Sequence, residues 1–180
     1  MGLMQPRPRD PMDCDGGELD SIEFLRAVSL FDEIKERHEV LSSLAGAMET
    51  RRYRAGEAIL REGDAGAEMF LLTRGHAWVT KKTHDGDSYH VVLLRAEDHA
   101  FFGEGALLDA EARSATIVAE SACLCLVLSR KAFQEFGQAH PQWAYPVLQR
   151  IARDVLSRLR KSNEDLMLLY HALISEIRGV

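Results

Sequence analysis

Glycine cuts the middle of this chain into short pieces. Seven of the thirteen glycines fall between Gly56 and Gly105, and the runs between and after them are apolar or alternating: MFLLT, AWVT, YHVVLL, ATIVA and CLCLVL. Helices of ordinary length tolerate such spacing poorly, whereas short strands joined by turns are built on it. The stretch 53–128 therefore reads as one antiparallel β-roll, a sandwich or barrel closed on itself. His84-Asp85-Gly86-Asp87 supplies a hairpin turn, because glycine accepts the positive φ that a tight turn demands.

Helical patterns flank this region. Leu19, Ile22, Phe24, Leu25 and Val28 crowd one side of about three turns, and a second helix is expected from His38 to Ala47. Ser129 is placed to cap a short helix through Phe136, ended by Gly137. Beyond Pro146 neither Gly nor Pro occurs until Gly179. A helix over 147–178 would run about 48 Å, longer than a small domain needs. Within it Leu148, Ala152, Val155, Leu159, Ser162, Leu166, Leu169 and Leu173 step by alternating fours and threes. That heptad seam predicts a helix pairing with a copy of itself; the alternative is a helix packed only on its own domain. A second apolar face, Val147, Ile151, Leu156, Met167, Tyr170 and Ile174, is expected against the roll.

Residues 1–17 hold three of the five prolines and read as a mobile tail. The expected organisation is that tail, a β-roll with its N-terminal helices over 18–137, and a helical lid or dimerisation segment over 138–180. The fold class is mainly β with flanking helices (α+β).

Composition narrows the function. The net charge is −6, from 28 acidic and 22 basic residues, which argues against a nucleic-acid surface. One small anion needs only one local Arg. No apolar run reaches the roughly 20 residues that span a bilayer, and the first residues lack the apolar core of a secretory signal. Three cysteines, Cys14, Cys123 and Cys125, form neither a disulfide framework nor a metal-ligand spacing. A cytoplasmic protein without membrane insertion is expected.

The chemistry is concentrated in FFGEGALLDAEARSAT, residues 101–116. A strand end meets a turn at Gly103, Glu104 opens a single helical turn from Gly105 to Leu108, and the chain returns as a strand from Arg113-Ser114. The first amides of a helix are unpaired and attract anions, and Gly105 has no side chain to obstruct a close approach to that backbone. Arg113 adds a planar fork suited to two phosphate oxygens. Glu104, acceptor-only when ionised, takes a hydrogen bond from a sugar hydroxyl. Together they make a site for a phosphate joined to a ribose. The bland alternative is that Glu104 and Arg113 form an ion pair bracing a loop.

This segment resembles the phosphate-binding cassette of cyclic-nucleotide-binding domains, found in the catabolite activator family, cyclic-nucleotide-dependent kinases and nucleotide-gated channels. Phe102, Gly103, Glu104, Ala106, Leu107, Arg113, Ser114 and Ala115 match the family pattern. Upstream, YRAGEAILREGDAGAEMFLLTRG (53–75) is similar to the family's first strands, and the resemblance spans roughly residues 20–175. It implies a jelly roll (double-stranded β-helix) with N-terminal helices and a long C-terminal dimerisation helix. It also implies a regulatory, non-enzymatic sensor of a cyclic mononucleotide. Glu104 would bind the ribose 2′-hydroxyl and Arg113 the cyclic phosphate, with backbone amides of Gly103, Glu104, Gly105 and Ala106 assisting. Three departures stand out: Ala112 replaces a proline before the Arg, His99-Ala100 replaces Gly-Asp, and Gly105 replaces an apolar residue.

Arg-Ser-Ala at 113–115 is similar to the catabolite activators, which favours cAMP over cGMP. The segment SRLRKSNEDLMLL (157–169) resembles their dimer helix, which makes Ser162 and Asn163 candidates to contact the purine; a register-setting polar residue is the alternative for Ser162. The resemblance implies a homodimer signalling to an unknown downstream protein. Family activators carry a DNA-binding module after the dimer helix; here the chain stops at Val180, so no direct DNA binding is expected. The basic cluster Arg150, Arg153, Arg158, Arg160 and Lys161 reads as the solvated flank of the seam.

Other readings stay open. A ligand-free dimerisation adaptor would share the fold. A cupin-type metalloenzyme would need clustered ligands that the seven His do not supply in sequence. An iron–sulfur or haem sensor is disfavoured, because Cys123 and Cys125 on one strand face do not make four ligands.

Overall fold

A computed structural model describes residues 20–83, 87–109 and 112–178. Helices α1 (Ser21–Ala27) and α2 (His38–Gly46) lead into strands β1 (Glu49–Tyr53), β2 (Ala58–Leu60), β3 (Glu68–Arg74), β4 (His76–Lys82), β5 (Ser88–Arg95) and β6 (Phe101–Phe102). The short helix α3 (Gly105–Leu108) precedes β7 (Thr116–Ala119) and β8 (Cys123–Ser129). Helices α4 (Arg130–Ala139) and α5 (Pro141–Arg178) follow. All strand pairs are antiparallel, in two four-stranded sheets of order β1-β8-β3-β6 and β2-β7-β4-β5. The result is a jelly roll flanked by helices.

The run Met69 to Leu72 is apolar at every position because its sheet has a layer on each side. Side chains alternate across a strand. Met69 and Leu71 therefore join α1, α2, α4 and the start of α5 in one core. Phe70 and Leu72 face the other sheet, with Phe102, Ile117, Cys123, Cys125 and Val127. Neither thiol is a ligand candidate there: burial raises the Cys123 pKa and pushes that of Cys125 up to about 12. A strand buried on both faces loses the alternation that marks a half-exposed one.

Local signals hold at several ends. Asp20 caps α1 by accepting from the amides of Ile22 and Glu23, and Ser129 caps α4 by accepting from Ala132. The roll runs from Glu49 to Ser129, slightly wider than 53–128. The expected turn at His84-Asp85-Gly86 and the tail 1–17 lie outside the described residues, although β4 and β5 pair up to Lys82 and Ser88.

Three expectations about the C-terminal helices change. Gly137 does not end α4, which continues to Ala139; a Cβ on Gly137 would lie 3.5 Å from that of Ala144, so this glycine lets α4 and α5 pack closely. The division at 137/138 thus falls inside a helix. Helix α5 starts at Pro141 and passes through Pro146, spanning 38 residues. Proline there removes one amide near the helix start, and the buried Ala144 and Val147 on either side anchor the turn. Finally, the second apolar face meets the domain only at Val147 and Ile151. Leu156, Met167 and Tyr170 are 49%, 53% and 56% exposed. The helix outruns the body it packs on.

Candidate functional site

Gly103 turns the chain from β6 into α3 with φ +73, a conformation that side chains disfavour. This places Glu104 at the start of α3, where it is 4% exposed. From the opposite side Arg113 enters from the segment before β7. Its Nη2 donates to the Glu68 carbonyl at 2.8 Å and its Nη1 to the Gly103 carbonyl at 3.3 Å. The guanidinium lies 5.9 Å from the centre of the Phe70 ring, which stacks on Phe102. Burial lowers the Arg113 pKa from the usual guanidinium value, with Arg130 acting in the same direction and Glu68 and Glu104 opposing.

Two glycines make room for this side chain. A Cβ on Gly66 would sit 2.1 Å from Arg113 Nε, and one on Gly103 would sit 2.9 Å from Nη1. Gly66 was not expected to matter. Its position in the turn before β3 is the only sequence signal for it.

Glu104 and Arg113 border one cavity of about 620 Å³. Gly103, Gly105, Ala106 and Ser114 line it as well, and Leu60, Val79, Val92 and Leu94 supply an apolar wall. The two charged groups are not paired with each other, so the loop-bracing ion pair is not what the residues form. Instead Glu104 accepts from Arg158 of α5. Arg158 therefore leaves the class of solvated flanking charges, as does Arg150, which bonds Asp32 at 3.4 Å and Asp154 at 3.3 Å. The Ala106 amide donates to the Gly103 carbonyl at 3.1 Å, so it is already committed within the turn.

Arg130 was also missed. Its Nε donates to the Ala106 carbonyl at 2.6 Å, and its Nη2 donates to the Asp109 carbonyl and, at 3.5 Å, to that of Gly66. A four-residue helix leaves its carbonyls without helical partners. Arg130 fills that need and ties α3 to α4 and to the Gly66 turn.

Ser162 and Asn163 lie on α5 beyond Arg158. Both are exposed, and neither lines the cavity, whereas Val155 and Arg158 do. Among the described residues no three His, Cys, Asp or Glu side chains are placed to hold a metal ion. Among the same residues no helix is long and apolar enough to cross a membrane.

A family model described as the cyclic nucleotide-binding domain matches residues 50–140. The chain belongs to this family. Human cGMP-dependent protein kinase 2 is 36% identical over 115 residues, which are 62% of this chain and 14% of that protein. The cAMP-dependent protein kinase regulatory subunit of Dictyostelium discoideum is 38% identical over 114 residues, 62% of this chain and 34% of that one. The chain therefore spans only a minor part of these relatives. Among solved structures, the Thermus thermophilus catabolite activator protein matches 73% of this chain and 59% of its own, with TM-score 0.65 and 27% identity. A cyclic nucleotide-binding domain from Methylobacillus flagellatus matches 82% and 80%, with TM-score 0.68 and 25% identity. The cyclic nucleotide-binding domain is a regulatory fold, and the matched residues include Gly103, Glu104, Arg113 and Ser114 of the cavity.

Proposed function

We propose that this chain senses a cyclic mononucleotide, with cAMP favoured over cGMP, and signals as a homodimer through α5 to a downstream protein in the cytoplasm. Glu104 takes the ribose hydroxyl. Arg113 and Ser114 take the cyclic phosphate, with backbone amides from Gly103 to Gly105 at its edge. In a dimer, Ser162 and Asn163 would complete the purine end. The observation that carries this reading is the Glu104–Arg158 pair, because it joins the cassette to the long helix. A ribose hydroxyl donating to Glu104 must share it with Arg158 or displace it. A cyclic phosphate likewise draws Arg113 from two carbonyls. Ligand binding thus alters a contact of α5, and differential contact of this kind is what shifts a conformational equilibrium.

Calorimetry with cAMP and cGMP tests the proposal. Arg113→Ala should weaken binding at least roughly tenfold while the protein stays folded; an unchanged affinity would refute the role of Arg113. A ligand-free dimerisation adaptor is the second reading, favoured by the protein partners that Glu104 and Arg113 already have. Absence of binding by the wild type at micromolar nucleotide decides for the adaptor.

A further inference from the structure

Helix α5 carries more exposed apolar surface than one coiled-coil seam can bury. Among the described residues after Ile151 none is buried. The first seam accounts for Val155, Leu159, Leu166, Leu169 and Leu173, which are 40% to 69% exposed. Met167, Tyr170, Ile174 and Ile177 form a second row with steps of three, four and three. Such steps define a stripe that only another helix matches along its length. This row is turned by roughly 100° about the helix axis from the first. A dimer made through the first seam leaves Met167 and Ile174 uncovered.

The charges beside this row say what covers it. Glu164 and Arg178 stand on its outer edge, both exposed. In a parallel self-pairing the two edges of the row cross, so Glu164 and Arg178 would face the edge that carries Leu166 and Leu173 and meet no opposite charge. In an antiparallel pairing centred near His171 and Ala172, Met167 opposes Ile177, Tyr170 opposes Ile174, and Glu164 reaches the level of Arg178, twice by symmetry. An anionic lipid surface fits poorly, since Glu164, Asp165 and Glu176 face only Arg178 over this stretch. We propose that the second row pairs antiparallel with the same row of another copy of this chain, joining dimers into tetramers. The tetramer rests on the dimer proposed above; the antiparallel contact does not.

Light scattering and sedimentation equilibrium of the full chain test this. The wild type should have the mass of four chains, and Met167→Glu with Ile177→Glu should halve it without changing the thermal melt. Leu159→Glu in the first seam should leave a dimer held by the second row. Glu164→Arg should weaken tetramer formation by about fivefold, and adding Arg178→Glu should restore it, as expected of a crossed pair. A wild type that stays dimeric and becomes monomeric with Leu159→Glu overturns the proposal while leaving the dimer intact, and assigns the row to a different protein. A mass unaffected by the Met167 and Ile177 changes, or no recovery on charge exchange, also overturns it.

Discussion

The Cβ that Gly66 lacks would lie 2.1 Å from Nε of Arg113. The phosphate-binding guanidinium of the proposed site is thus seated by the absence of a side chain in the turn before β3. Gly66 is not among the residues of positive φ, so alanine there meets no backbone strain and only the far end of a flexible side chain must move. Gly66→Ala should therefore cost less than about 1 kcal/mol of stability. Cyclic-nucleotide affinity should nevertheless fall by roughly tenfold, close to the effect of Arg113→Ala. Chemical denaturation and calorimetry on the same sample check both halves.

Removing Arg158 leaves the buried Glu104 carboxylate without its ion-pair partner. The Glu104 side chain is 6% exposed and that of Arg158 61%, so water already screens one side of the pair. Arg158→Ala should destabilise the protein by about 1–2 kcal/mol, below the usual loss for a fully buried pair. Glu104→Gln with Arg158→Ala should recover part of that loss in a double-mutant cycle. If the losses simply add, the contact contributes nothing to folding.

Arg130 should act on affinity through α3. Arg130→Met keeps much of the side-chain volume but removes the donors to the carbonyls of Ala106, Asp109 and Gly66. Faster hydrogen exchange at the Leu107 and Asp109 amides, which close the turn, is expected together with a several-fold loss of nucleotide affinity. Unchanged exchange at those amides would remove Arg130 from this role.

These residues show where the sequence was legible. The cassette from Phe102 to Ala115 could be read because its groups lie in one short stretch of sequence and Gly103 and Gly105 mark the turn at its start. The two-sheet core could be read because alternation and glycine spacing are local as well. Gly66, Arg130 and Arg158 act across 21 to 64 residues of chain, and nothing near them in sequence announces a partner. Arg158 in particular sits in a basic run that resembles any solvated helix face. Gly137 misled because a glycine that permits close helix packing has the same one-letter signature as one that ends a helix.

The Arg51–Glu68 pair predicts an acid-dependent term. Arg51 holds both Glu68 oxygens, at 2.6 and 2.8 Å. That bonding is the main reason the Glu68 pKa lies below 4.5, with burial opposing it. A lowered folded-state pKa stabilises the protein above the unfolded value, and the stabilisation is lost as pH falls through the folded value. Wild type should therefore exceed Glu68→Gln in stability at pH 7, with the gap closing below 4.5. Nucleotide affinity should barely change, because Arg113 bonds the main-chain carbonyl of Glu68 and not its carboxylate.

Placing Cys125 between the sheets, at 0% exposure, gives the jelly roll a built-in clock. A thiol there cannot meet an alkylating reagent until the two layers part, and burial also keeps it in the unreactive protonated form. With Cys14 replaced by serine, slow modification of the remaining sulfurs would time the opening of the sandwich itself. A nucleotide that binds only the closed fold would lengthen that interval by a factor of one plus the free nucleotide concentration divided by Kd.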